Sequence, residues 1–313
     1  APPRGAPARA SAPARPLLVP LQSPPNAQRP PLVLVHPVGG YVYFYRALAA
    51  ALGADQPVVG VRARGLAPGE TTPEDLETLA RDYVDALVER QPRGPYLLGG
   101  SSLGGMVAWT MARLLRADGA EVALVTMLDT GGPGHMPQPP QDDVDLLVRL
   151  FGDRLPLDAA ALRAVPSETE RLRRLLRHAR DAEVALPTSG YDLAAAQRHL
   201  GVVRGLMRAM YAHRPQPLDQ RVTFFRARVR RPHEPAHPEL GWTDLCQAGI
   251  EVHVVPGNHL SMHDPPHLDV LAPRLRDAID RALREIDHPS TEPSTAAAAA
   301  AAPSPLIAPG IGA

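Results

Sequence analysis

Three side chains far apart in the chain have the types that acyl transfer needs: a serine hemmed in by glycines, a carboxylate closing an apolar run, and a histidine in a Gly-Asn-His loop. The serine is Ser102, central in Gly100-Ser101-Ser102-Leu103-Gly104, which fits G-x-S-x-G. That pattern predicts a tight strand-to-helix turn, where glycines leave room for backbone to meet backbone. A serine hydroxyl is a weak nucleophile, so the reading requires an imidazole base and a carboxylate to orient it.

His259 is the strongest base among the 12 histidines because it directly follows the last apolar run, Ile250–Val255. His263 and His267 read as helix-start or surface residues, His253 as structural within its strand, and His36, before Pro37, as a loop-shaping residue. For the acid, Asp129 closes the run Val122–Leu128, directly after the serine unit. The competing position is the loop after Phe225, whose acid is Glu234, with Asp244 further on. Asp129 is favoured. Two backbone amides are expected to face a developing oxyanion: Leu103, at the start of the following helix, and Val38, in the loop His36-Pro37-Val38-Gly39-Gly40.

The elements that must position these residues are legible from periodicity. Short apolar runs at 31–35, 57–61, 96–98, 122–128, 221–225 and 250–255 read as strands of a parallel sheet buried on both faces. Between them lie helical stretches at about 44–52, from Thr72 onward and over 106–115, with a final helix from Asp264. Thr72-Pro73-Glu74-Asp75 supplies cap, proline and first-turn acids; Leu76, Leu79, Ala80, Tyr83, Val84, Leu87 and Val88 form an apolar face. This alternation predicts a doubly wound α/β fold. From about 136 to 217 three helical stretches follow without a strand, 142–151, 167–180 and 191–212, an insertion expected to cover the site. Its arginines, such as Arg171, Arg173, Arg174 and Arg177, read as a solvated face.

Composition sets the outer bounds. The 313 residues carry a formal net charge of zero, which gives no nucleic-acid or membrane-surface footprint. All 33 basic residues are arginine, and a single cysteine, Cys246, excludes an internal disulfide and fits a cytoplasmic protein. No run is long enough to cross a bilayer. Residues 1–30, rich in Pro and Ala, read as a disordered linker, 31–287 as the folded domain, and 288–313 as a low-complexity tail. No metal or bound cofactor is expected, and a homodimer through lid or terminal helices is compatible with the pattern.

With these residues in hand, the chain resembles a type I thioesterase domain of modular polyketide synthases and nonribosomal peptide synthetases, within the α/β-hydrolase superfamily. The resemblance covers about 30–285. It rests on His36-Pro37-Val38-Gly39-Gly40, the elbow with its Met106-Val107-Ala108-Trp109 helix, Leu128-Asp129, and Gly257-Asn258-His259. In that family the acid follows the strand after the nucleophile helix, so the separation of Ser102 from Asp129 supports Asp129 over Glu234. The departure is Ser101, where a larger residue is common; the change is expected to alter the pocket wall. The resemblance implies an acyl or peptidyl thioester delivered on the phosphopantetheine of an upstream carrier protein, a Ser102 acyl-enzyme, and release by water or an internal nucleophile.

Overall fold

The apolar runs do become strands, and almost every one is buried on both faces. The computed structural model describes residues 16–136, 138–152, 155–184, 187, 190–230 and 238–288. In chain order these begin with β1 (Leu18–Gln22), β2 (Leu32–Val35), α1 (Arg46–Ala51), β3 (Val58–Val61), α2 (Leu76–Arg90), β4 (Tyr96–Ser101) and α3 (Leu103–Ala117). They continue through β5 (Val122–Leu128), α4 (Asp143–Phe151), α5 (Ala159–Arg163), α6 (Glu168–Asp181), α7 (Leu193–Ala212), β6 (Val222–Ala227), β7 (Ile250–Val255) and α8 (Leu268–Asp287).

The seven strands form one sheet in the order β1-β3-β2-β4-β5-β6-β7. β2 through β7 run parallel, and only β1 is antiparallel. Helices carry the crossovers from β2 through to β6 and α8 follows β7, so both faces are covered, which is why the central strands show no polar alternation. One face packs on α2, α3 and the helices of the insertion; the other packs on α1 and α8. β4 sits at the centre, between β2 and β5, so its C-terminal end has neighbouring strand ends on both sides.

Helix boundaries follow local capping chemistry. Asp75 accepts a 2.7 Å bond from the Thr78 amide, so α2 begins after it and the expected Thr72-Pro73 cap lies just outside. Asp142, Asp158, Ser167 and Asp192 cap α4, α5, α6 and α7 in the same way. The last helix starts at Leu268 rather than at Asp264: after a short 3-10 turn over Ser261–His263 the chain runs through turns over 264–267 before the helix begins. Val88 was expected on the buried face of α2 and is instead 37% exposed. Between β5 and β6 the described residues contain four helices and no strand, so the insertion is all-helical there.

The expected linker over residues 1–30 does not hold past residue 16. Leu18–Gln22 pairs with β3, Leu18 opposite Val61, and Gln22 donates to the carbonyls of Gly53 and Gln56 at 2.7 and 2.8 Å. Arg29 donates to Gln56 and pairs with Asp280 on α8. A proline-rich composition hides such a strand because an edge position needs hydrogen bonds on one side only, and Pro20 is tolerated there. The linker over 1–15 and the low-complexity tail from 289 onward lie outside the described residues. Among the described residues no helix is long and apolar enough to cross a membrane, and no group of three or more His, Cys, Asp or Glu side chains could hold a metal.

The crossing of α3 over the sheet depends on Gly104, where an added Cβ would meet the carbonyl oxygens of Val35 and His36. Backbone cannot retreat as a side chain can, so Gly104→Ala is expected to destabilise the fold by about 1–3 kcal/mol. Denaturant unfolding checks this; a variant as stable as wild type would contradict the close approach.

Candidate active site

The nucleophile candidate is held where the sequence places it, in a turn with no slack. Ser102 connects β4 directly to α3 with φ 56° and ψ −124°, a conformation that L side chains rarely adopt. The turn is locked on both sides. The Ser102 amide donates to Leu128 at 2.9 Å, and a Cβ at Gly100 would collide with the backbone of Gly104. The hydroxyl residue therefore stands at the C-terminal rim of the sheet, half-buried, at the N-terminus of a helix whose first amides have no intrahelical partner. The Leu103 amide belongs to that set.

Asp129 also has a positive φ, 49°, so its backbone turns sharply as β5 ends. Its amide donates to Phe225 at 2.7 Å, fixing the rim of β5 to the rim of β6. The carboxylate is 2% exposed and accepts three hydrogen bonds. Oδ1 takes the Ala227 amide at 2.9 Å and Arg230 Nη1 at 2.8 Å; Oδ2 takes His259 Nδ1 at 2.7 Å. Burial pushes the carboxyl pKa up, but the His259 hydrogen bond and charge, Arg230 and the Ala227 amide outweigh it and hold the group below its ordinary range.

His259 sits in a loop tied by its own side chains: Asn258 Oδ1 accepts the amides of Leu260 and Ser261 at 3.0 and 2.9 Å, and Ser261 Oγ accepts the Asn258 amide at 2.9 Å. Because Nδ1–H is directed at Asp129, Nε2 is the ring nitrogen left to take a proton. The imidazole side chain is 40% exposed, open to an incoming group.

Asp244 is exposed in a turn between β6 and β7 rather than in a helix, and Glu234 lies outside the described residues. Among the rival histidines, His36 is fully buried and donates from Nδ1 to the Pro37 carbonyl at 2.7 Å, so it does shape its loop. His253 stacks on Phe225 and faces Glu251 at 3.1 Å. His263 departs from expectation. It is 5% exposed, lies edge-on to Phe44 and Tyr45, and its Nε2 is 3.0 Å from Ser101 Oγ. Burial, and the nearby His259, lower its pKa to about 3, against a smaller opposing effect of Asp129.

That contact also revises Ser101. Its side chain is buried behind the elbow against His263 instead of lining an open wall, and its amide donates at 2.7 Å to Tyr45, which in turn donates to Val35 at 2.9 Å. His263, Tyr45 and Arg230 are the members of the site that sequence reasoning missed. A serine in the variable position of the elbow, together with a histidine four residues past His259, was the signal available for His263.

A half-exposed imidazole bonded to a buried carboxylate, with a strained serine on the neighbouring strand end, can perform nucleophilic acyl transfer. The mostly parallel sheet with its elbow defines the α/β-hydrolase fold. Within it the chain belongs to the thioesterase domain family, whose profile matches residues 30–279. Its relatives are nonribosomal peptide and polyketide synthases. Chondramide synthase of Chondromyces crocatus is 29% identical over 290 residues, which is 87% of this chain and 7% of that protein. Among solved structures, a four-domain nonribosomal peptide synthetase bound to AMP and glycine superposes with a TM-score of 0.73 at 23% identity, covering 83% of this chain and 20% of that one. The Vlm2 thioesterase domain bound with a dodecadepsipeptide gives 0.61 at 24% identity, covering 83% and 97%. The chain thus spans a small fraction of the multidomain relatives it matches and nearly all of an isolated thioesterase domain.

Two expectations follow from the site. Ser101→Ala leaves the buried His263 Nε2 without its partner and costs about 1–3 kcal/mol in denaturant unfolding; an unchanged midpoint would show the contact to be inert. Because the folded protein holds Asp129 ionised below the usual carboxylate range, this stability is present at neutral pH. It is lost as the pH falls below about 4. Wild type should therefore lose stability more steeply than Asp129→Asn on acidification from neutrality, and parallel curves would contradict the assignment.

Proposed function

We propose that Ser102, His259 and Asp129 form a catalytic triad that releases an acyl or peptidyl chain from a carrier protein's phosphopantetheine thioester. The observation that carries the reading is the 2.7 Å bond from His259 Nδ1 to the buried Asp129 carboxylate, with Ser102 strained at the adjoining strand end. His259 Nε2 takes the Ser102 proton as Oγ bonds to the thioester carbon. The tetrahedral oxyanion is met by the amides of Leu103 and Val38, in the elbow and in the loop after β2. On collapse the C–S bond breaks and His259 returns the proton to the departing sulfur. Water, or a hydroxyl or amine of the bound chain, then attacks the acyl-enzyme and yields an acid, lactone or lactam.

Three considerations favour a carrier-bound thioester over a free oxygen ester, the substrate of a stand-alone esterase. The family is that of thioesterase domains, the relatives are assembly-line synthases, and the acid follows β5. The acid position also argues against an editing thioesterase, where the loop after β6 supplies it. A carrier domain upstream is the partner this reading requires, and the cytoplasm is where such synthases work.

Ser102→Ala is expected to abolish labelling by a serine-directed fluorophosphonate. Asp129→Asn should lower kcat by about 10⁴-fold with the fold intact. If Glu234→Gln had the larger effect, the acid assignment would fall. Against an N-acetylcysteamine thioester and a short alkyl ester of the same acyl group, kcat/KM should favour the thioester; a preference for the alkyl ester would favour the esterase reading.

A further inference from the structure

The loop that carries Val38 is a tight turn: the Gly40 amide donates to the Pro37 carbonyl at 2.8 Å, and Gly40 has φ +78°. Two of its carbonyls are each gripped by a histidine, and the two grips have the same construction. At Pro37 the donor is His36 Nδ1, at 2.7 Å, while His36 Nε2 lies 2.7 Å from the Tyr83 hydroxyl. At Gly39 the donor is His199 Nε2, at 2.8 Å, while His199 Nδ1 lies 2.6 Å from the Tyr191 hydroxyl. A carbonyl can only accept, so each ring must present N–H to it and accept the tyrosine proton on its other nitrogen. Each relay therefore runs tyrosine to histidine to carbonyl.

The relays differ in origin. His36 directly follows β2 and Tyr83 is on α2, so the first belongs to the body of the domain. His199 is on α7 and Tyr191 immediately precedes that helix, so the second belongs to the helical insertion. His199 is 4% exposed and caged edge-on by Tyr41, Phe151 and Tyr191, which leaves the ring no rotamer freedom to lose on bonding. Burial brings the pKa of both histidines down to about 4, so both relays stay neutral at physiological pH.

We propose that His199, oriented by Tyr191, is a positioning residue through which the seating of the helical insertion sets the oxyanion turn, so that acylation of Ser102 depends on the insertion as well as on the triad. The proposal rests on the reading of the Val38 amide as an oxyanion donor. Without His199 the turn is still held at Pro37 and at Gly40, whose carbonyl accepts the Ala63 amide at 2.9 Å, but the Gly39 carbonyl between them loses its partner and the peptides on either side of Gly39 are free to tilt. A donor displaced by about 1 Å forfeits much of the transition-state stabilisation while leaving ground-state binding nearly untouched. The effect belongs in kcat rather than in KM.

The test uses the full chain and an N-acetylcysteamine thioester. His199→Phe, which keeps a ring but no donor, should lower kcat by about 10- to 100-fold with KM within about twofold. His199→Gln retains an N–H and should recover most of the loss. Tyr191→Phe should lower kcat less, and adding it to His199→Phe should cost nothing further, since both remove one relay. Val38→Pro, which deletes the amide proton, tests the underlying reading separately. Loss of turnover in Val38→Pro with full kcat in His199→Phe would overturn the proposal and leave the oxyanion reading standing. Full activity in Val38→Pro would overturn that reading itself. If His199→Phe fails to fold, additive losses in Tyr191→Phe and His199→Gln, or a change confined to KM, would equally overturn it.

Discussion

The arrangement hangs on one buried carboxylate. Asp129 is almost wholly removed from water, and a charge so placed persists only when its oxygens are fully used. Here they are used by groups from separate parts of the chain: the Ala227 amide at the end of β6, Arg230 beyond it, and the imidazole of the loop after β7. The same residue's amide bonds Phe225. One side chain thus registers the ends of three adjacent strands, and the imidazole orientation follows from that register instead of from its own loop alone. The stability of the rim and the orientation of the imidazole share a cause.

A second layer of polar contacts lies behind the elbow. Tyr45 links Ser101 to Val35, and Ser101 meets His263, so the turn before Ser102 is bound both to β2 and to the loop that presents His259. In a region this dry each such bond is worth more than on the surface, and each unmade bond costs more. The strain at Ser102 persists because these neighbours leave the backbone no alternative position.

The parallel strands, the elbow and the helical insertion were legible because they are written as runs and periods. Asp129 and His259 could be chosen because the first directly follows an apolar strand and the second lies in the loop after another, both at the same rim as Ser102. What escaped was contact across sequence distance. Nothing local in Ser101 or His263 announces that they pair over 162 positions, and a histidine near a helix start reads as exposed until the packing of Phe44 and Tyr45 is known. Arg230 was one of several arginines in an irregular loop, and only the fold singles it out. The strand at Leu18–Gln22 was masked by prolines that an edge tolerates.

That edge strand fixes where the described chain enters the sheet. Being antiparallel, β1 starts opposite Val61, the last residue of β3, and Arg62 holds the Pro16 carbonyl at 3.0 Å. The chain therefore enters at the rim of the sheet that carries Ser102, not at the opposite end. From β1 to β4 there are three strand spacings, about 14 Å. Had β1 run parallel to β3, the chain would enter at the opposite rim, the height of the sheet away from Ser102.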